Sequence, residues 1–346
     1  MRHNGELTIA MLLFAYDEAS VIGDTVENVA QALGVGDEVF VIADNCTDDT
    51  VKIAKDAGTQ VYTRNSSSSS SKGQVLAWFL SSYQDLLINF DFLLVLDADS
   101  RIASNFLDII KDNIPEKGDA FQCFIFPQYN NQSPIGNLAA LSYLLDQRVS
   151  DKVRKRLGWP VRLRGTGMLI TPDVLIEICD KLDTSVEDIA ISLLITAAGI
   201  HIGRIDQAVV YDPVPESSDA ASRQRARWFR GQWLAAWQYR REIAYALTKG
   251  PGGWSLLSSL FLKPRWLFLT ASLFLALALS RWWWISLFFW GQVLFGLLYL
   301  IIGLIILPDR KTFIIALLRL PTYIYMWVRS IVLSFRSTPW LKARKE

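Results

Sequence analysis

From Trp266 to Leu307 the chain runs 42 residues with one charged side chain, Arg281. One membrane-spanning helix needs about 20 apolar residues, so this stretch is long for one span and fits two. It predicts a helical hairpin with spans over about 262–280 and 283–307, turning at Ser280-Arg281-Trp282, with Trp283 and Trp284 as interfacial anchors. The alternative is a buried helix pair, but a hairpin this apolar would leave no polar outer face. Lys263 and Arg265 precede the first span, and Arg310 and Lys311 follow the second. The positive-inside rule then puts both ends in the cytosol. Residues 312–336 are also apolar but are broken by Arg319, Pro321, Arg329 and Arg336, with Tyr323, Tyr325 and Trp327 between them. That pattern suits a helix lying in the headgroup layer.

The charge distribution divides the chain in the same place. Residues 1–240 carry 22 basic and 31 acidic side chains, whereas residues 241–346 carry 13 and 3. The expectation is a water-soluble domain over 1–240 and a membrane region over 241–346. Glu6, Asp17 and Glu18 in the first 20 residues argue against a secretory signal, which leaves the soluble domain cytosolic. An overall charge of +1 and 12% aromatic residues exclude a disordered chain and a general nucleic-acid binder. Cys46, Cys123 and Cys179 are too few and too scattered for a disulfide framework or a Cys-rich metal site. His3 and His201 make no zinc motif.

The soluble part alternates strand and helix signals. Leu7–Ala15, Glu38–Ala43, Thr59–Thr63 and Phe92–Leu96 read as strands, the first and last as continuous apolar runs. Asp24–Leu33 (with Asp24 as a candidate cap), Thr50–Ala57 and Gly73–Leu87 read as helices. This is the signature of an α/β fold, a parallel sheet covered by helices, and such sheets bind ligands at the carboxyl ends of their strands. Polar motifs cluster at those ends: Tyr16-Asp17-Glu18, Asp44 through Asp49, and Asp97-Ala98-Asp99. There is no GxGxxG and no GxxxxGK[ST]. Any phosphate must be neutralised otherwise, and clustered carboxylates point to a divalent metal.

Residues two apart on a strand face one side, so Asp97 and Asp99 can converge on one cation, with Mg²⁺ or Mn²⁺ the natural choices for hard oxygen ligands. Asp44 stands at a strand end where it can accept from a nucleobase N–H, while Asp48 and Asp49 are as easily an Asx turn and cap. Ser66–Ser71 is a serine run that reads as a flexible loop, and Lys72 opens the helix after it. Gly165-Thr166-Gly167 reads as a loop allowing close backbone approach ahead of a strand at Met168–Thr171. Thr184 through Asp188 opens an apolar helix, where an acid is either a helix-terminal charge or a general base. Gln224-Arg225-Ala226-Arg227-Trp228 lies in a basic, aromatic stretch suited to anionic lipid or to a diphosphate and a sugar face.

In this order the motifs resemble those of membrane-bound family 2 glycosyltransferases, similar to the cellulose, hyaluronan and poly-N-acetylglucosamine synthases, over about residues 7–340. Thr338 and Trp340 after the apolar tail helix fit the same pattern. The resemblance implies a GT-A nucleotide-sugar domain followed by the membrane hairpin and interfacial helix. It also implies inverting transfer from a nucleoside-diphosphate sugar, usually UDP-linked, in cell-surface polysaccharide synthesis. By match, Ala15, Glu18, Asp44 and Asp97 hold the nucleotide with Lys72 nearby, and Asp99 binds the metal beside Asp97. Asp188 is the base, Arg225 and Arg227 steady the diphosphate, and Trp228 stacks on the acceptor. The acceptor is a saccharide or a lipid-linked sugar. Polymerising relatives usually have more spans, so the chain oligomerises, uses a partner membrane protein, or adds one or a few sugars to a lipid-linked acceptor such as a polyprenyl phosphate. A nucleotidyltransferase and an inactive membrane scaffold are the readings from other classes.

Overall fold

The computed structural model describes residues 7–66, 71–115, 118–129, 133–215, 217–262 and 265–335. Four of the serines at 67–70, and His3, Lys263, Pro264, Arg336, Thr338 and Trp340, lie outside the described residues. The first hundred residues form β1 (Ile9–Ala15), α1 (Ile22–Ala30), β2 (Glu38–Asp44), α2 (Thr50–Asp56), β3 (Gln60–Arg64), α3 (Lys72–Ser82), α4 (Gln84–Leu87) and β4 (Phe92–Asp97). Next come β5 (Arg101–Ile102), α5 (Phe106–Asn113), β6 (Ala120–Gln128), α6 (Pro134–Leu145), α7 (Asp151–Arg156), β7 (Met168–Ile170), α8 (Pro172–Ile178), α9 (Glu187–Ala197) and β8 (Ile202–Pro213). Helices complete the chain: α10 (Ser218–Gln238), α11 (Arg240–Thr248), α12 (Gly250–Phe261), α13 (Arg265–Ala278), α14 (Trp283–Ile306), α15 (Arg310–Leu317) and α16 (Leu320–Ser334).

Two expected helices differ in detail. Helix α1 starts before Asp24, which falls in its first turn and pairs with Arg101 at 2.9 Å rather than capping. The helix expected over Gly73–Leu87 breaks at Tyr83, whose ring packs on Tyr62, Trp78 and Phe79.

The eight strands form one sheet in the order β3-β2-β1-β4-β7-β6-β8-β5. Strands β3, β2, β1 and β4 are parallel, as the βαβ alternation predicts. The rest is not: β7 pairs antiparallel with β4, β6 with β7, and β5 with β8. The sheet is therefore mixed, although helices still separate β5 from β6, β6 from β7 and β7 from β8 along the chain. Strand β1, and β4 as far as Leu96, are apolar because both faces are covered. Ile9, Met11, Leu13, Leu94 and Leu96 pack on one side with Ile22, Val26 and Phe106. On β2, Phe40 meets Tyr62, Phe79 and Phe90. Each such buried side chain contributes about 1.5–3 kcal/mol relative to exposure.

Two compact units interleave along the sequence. One comprises residues up to 126, 159–213 and 231–254, and holds nearly all of the sheet; the other comprises 127–158, 214–230 and 255 onward. In the second unit α13 and α14 pack as a hairpin. Helix α14, with 24 residues and mean hydropathy 2.2, is long and apolar enough to cross a membrane. Phe288, Leu294, Phe295 and Ile305 on it are exposed. Helix α13 has 14 residues, about 21 Å at 1.5 Å each, short of a 30 Å hydrocarbon core by itself. Taken as pairs, α12 with α13 and α15 with α16 also meet the length and apolarity test, so the described residues hold one such helix, or three if each pair counts as one span. The single tail helix expected over 312–336 is two helices bent by 69°, with the break just ahead of Pro321 in the first turn of α16.

Candidate active site

The ends of β1 and β2 are joined by their loops. Asp17 and Asn45 adopt the left-handed backbone, at φ 49° and 50°, which Asp and Asn tolerate better than other residues carrying a Cβ. Oδ1 of Asp17 accepts from the backbone N–H of Thr47 at 2.6 Å and of Asp48 at 3.3 Å. The Glu18 N–H donates to Thr50 Oγ1 at 2.7 Å. Asp48 accepts from the Thr50 N–H at 3.0 Å, an Asx turn leading into α2. Ala15 is buried at the end of β1, its carbonyl accepting from the Cys46 thiol at 3.6 Å. Asp44 is buried and pairs with Arg64 at 2.8 Å. Ala15, Glu18 and Asp44 thus gather at two adjacent strand ends.

A glycine places the lysine. Ser71 caps α3 in a reciprocal capping box with Gln74, and its hydroxyl also donates to the Thr184 carbonyl at 2.7 Å. Gln74 reaches Asp183 at 2.7 Å. A Cβ on Gly73 would lie 2.5 Å from the Thr184 carbonyl oxygen and 2.6 Å from that of Leu182. Only glycine allows α3 to start this close to the segment that leads into α9. Lys72 is thereby brought against the first turn of α9. Its ammonium donates to Asp97 and to the Gly165 carbonyl at 2.8 Å, and stands 3.5 Å from Glu187. Burial alone would lower the Lys72 pKa, but the Asp97 and Glu187 carboxylates outweigh it and hold the ammonium above its ordinary value.

The Asp97-Ala98-Asp99 turn is tied to two further strands. The Asp97 N–H donates to Thr166 Oγ1 at 3.3 Å, and Ser100 and Thr166 share a 3.0 Å hydroxyl contact. Thr166 sits between Gly165 and Gly167, at φ 82° and 64°. Pairing of Arg101 with Tyr211 and Ile102 with Val210 puts Ser100 level with Asp212, which it contacts at 3.5 Å. Sequence reasoning did not single out Asp212. It lies in a polar strand end with no motif around it, and only the β5–β8 pairing brings it to Asp99. Its carboxyl is held well above the usual carboxylate range, first by burial and then by Asp99 and Asp97.

Asp97, Asp99 and Asp212 offer hard oxygens, but among the described residues these three do not bring their ligand atoms within 4.8 Å of one another. Asp17, Cys46 and Asp48 do bring ligand atoms within 4.8 Å of one another. Burial pushes the Cys46 thiol up, so a cation bound there would have to displace its proton.

The two acids at the start of α9 differ. Glu187 is buried, and burial pushes its carboxyl up to about 7, with Lys72 opposing and Asp188 and Asp97 reinforcing the shift. Asp188 is half-buried, and its backbone carbonyl accepts from Ser192 at 2.6 Å. Arg225, Arg227 and Trp228 lie on α10 in the second unit. Arg225 is buried there against Tyr323, Met326 and Trp327.

Residues 7–231 match glycosyltransferase-like family 2, well over half of the chain, and the protein belongs to that family. The mixed eight-stranded sheet with its helical cover is the GT-A fold, and the chain carries a glycosyltransferase domain. Among solved structures it is similar to the mannosyltransferase PcManGT from Pyrobaculum calidifontis, in complex with GDP-Man and Mn²⁺, with TM-score 0.53 and 14% identity over 94% of this chain and 85% of that one. Looser likenesses are to S. aureus TarS 1–349 in complex with UDP-GlcNAc, TM-score 0.45 at 14% identity over 69% and 70% of the chains. Another is to glucosyl-3-phosphoglycerate synthase from Mycobacterium tuberculosis in complex with Mn²⁺, UDP and phosphoglyceric acid, TM-score 0.42 at 16% identity over 71% and 78%. At these identities the likeness is one of fold.

Proposed function

We propose that this protein is an inverting, metal-dependent glycosyltransferase that moves a sugar from a nucleoside-diphosphate sugar, with UDP as the nucleotide, to a hydroxyl of a saccharide or lipid-linked acceptor. The observation that carries the reading is the Lys72 ammonium joining Asp97, Glu187 and the Gly165 carbonyl. It gathers the DxD turn, the Gly-Thr-Gly loop and the acidic helix start of this family in one place. Ala15, Glu18 and Asp44 take the nucleotide in this account, with Lys72 near its phosphates. Asp97 and Asp99 would hold Mg²⁺ or Mn²⁺, and the cation would neutralise the leaving diphosphate. Arg227 is assigned to the diphosphate and Trp228 to the face of the acceptor sugar.

In the chemical step the acceptor oxygen bonds to the anomeric carbon as the bond from that carbon to the diphosphate oxygen breaks. The hydroxyl proton passes to Asp188, and the nucleoside diphosphate leaves with the bonding pair. Asp188 is the more exposed of the two adjacent acids, so an acceptor can reach it, while Glu187 is occupied by Lys72. Helix α14 is assigned to the membrane, with the catalytic part over 1–240 on the cytosolic face and the membrane region over 241–346. A panel of UDP- and GDP-sugars offered to detergent-solubilised protein tests the reading. Metal-dependent release of nucleoside diphosphate supports it, and release of pyrophosphate points to nucleotidyl transfer. Product length then separates polymerisation from single addition to a lipid-linked sugar.

A further inference from the structure

Within the second unit, Arg225 is 4% exposed, yet no carboxylate among the described residues pairs with it. Aromatic faces hold its charge instead. The guanidinium carbon is 4.6 Å from the Trp327 ring centroid and 5.2 Å from that of Tyr323. One terminal nitrogen donates to the Met326 sulfur at 3.0 Å and the other to the Tyr323 hydroxyl at 3.3 Å. The Arg225 Nε and the Trp327 indole nitrogen are both buried with no hydrogen-bond partner. One turn along α10, Phe229 meets Trp327 edge-on at 5.6 Å, and further back Asp219 pairs with Arg329. All three partners of Arg225 lie on α16, within five residues of one another.

A buried guanidinium without an anion is costly, and cation–π contacts offset only part of the cost. A methionine or leucine would fill the same space without that penalty. What arginine adds is direction, because a planar fork between two rings fixes how α10 is rotated about its axis. Arg227 is two residues further on, about 200° around the helix, so seating Arg225 on α16 turns Arg227 to the opposite side.

We propose that α16 is the positioning element of the Gln224–Trp228 segment. Tyr323 and Trp327 cage Arg225, which makes Arg225 a positioning residue rather than a contact to the diphosphate, and the cage sets the rotation that presents Arg227. This rests on the assignment of Arg227 to the donor diphosphate.

The test uses the full chain in detergent with Arg225→Met, Trp327→Leu, their combination, and the pair Tyr323→Leu and Tyr323→Phe. Two readouts are taken: amide exchange over 218–230 and 320–334, and steady-state transfer at varied donor. Arg225→Met should speed exchange in α16, and Trp327→Leu should speed it in the first half of α10, each about tenfold. Both should lower kcat about tenfold or more, with donor KM changed less than threefold. The combination should be no worse than either alone, since both break one cage. Tyr323→Phe, which keeps the ring, should recover most of what Tyr323→Leu loses. Multiplying losses in the combination would overturn the proposal, as would a tenfold rise in donor KM for Arg225→Met with α16 exchange unchanged. If the unaltered protein turns over no donor, the functional reading falls, while reciprocal exchange still decides the cage.

Discussion

The ammonium of Lys72 stands 3.5 Å from the carboxylate of Glu187 while it also bonds Asp97, so one side chain joins the turn after β4 to the start of α9. Glu187 is buried and Lys72 nearly so, whereas the Asp97 side chain is 42% exposed. The pair with Glu187 therefore carries the structural weight, and Asp97 remains open to ligands.

Lys72→Met should leave Glu187 buried without its cation. Its carboxyl, already pushed up to about 7 with Lys72 present, would then take up a proton near neutral pH, and the pair with α3 would be lost. The expected result is a melting temperature lower by several degrees, together with a donor KM raised at least tenfold. Thermal unfolding and donor titration of the variant check both parts.

Stability should fall as pH rises from about 4.5 to about 7. Glu187 is protonated up to about 7 in the folded chain, against an ordinary value of 4.5. Over that interval the native state holds a proton that the unfolded chain has released. The contribution is complete below the unfolded value and is lost as pH passes the folded one, at most about 3 kcal/mol. The upward shift of Asp212 acts in the same sense. Melting curves between pH 4 and 8 should slope downward in metal-free buffer, and Glu187→Gln should flatten them.

Gly73→Ala should damage the site more than an ordinary helix substitution. The new methyl would meet the Thr184 carbonyl at 2.5 Å, and backbone cannot yield as a flexible side chain does. Elsewhere in a helix, alanine for glycine stabilises by about 1 kcal/mol. Here the sign should reverse, with lower melting temperature and loss of donor binding, measured on the same preparation.

The parallel half of the sheet was legible because β1, β2 and β4 are apolar runs flanked by helical spacing, and the polar motifs fell at their ends for the same reason. Of the antiparallel half only β7 was read, as the strand at Met168–Thr171, while β5 is two residues long, too short to show a period. Asp212 was hidden with it, because its nearness to Asp99 comes from β5–β8 register rather than from sequence spacing. The division of labour between Glu187 and Asp188 was half visible. Helix geometry separates adjacent side chains by about 100°, but only the fold shows that Glu187 is the one turned to Lys72. The role of Arg225 was read from its motif, and its aromatic surroundings come from residues nearly a hundred positions later.

Asp99→Asn and Asp212→Asn should each weaken Mn²⁺ binding, read directly by electron paramagnetic resonance of the free ion or by calorimetry rather than through turnover. A roughly tenfold or greater loss is expected for Asp99→Asn and a smaller one for Asp212→Asn, whose carboxyl is held toward its neutral form by burial and by Asp99 and Asp97. Unchanged Mn²⁺ affinity in both variants would remove the cation from this group of acids.

The most direct test of the account is nucleoside-diphosphate release from a nucleotide sugar, with acceptor and Mn²⁺, by the unaltered protein, Asp188→Asn and Glu187→Gln in parallel. The account predicts that Asp188→Asn binds donor about as tightly as the unaltered chain while transfer falls by roughly 10²–10⁴. Glu187→Gln should retain more transfer, with its main effect on stability. Transfer at full rate by Asp188→Asn, or no metal-dependent diphosphate release by the unaltered protein from any donor, would contradict it.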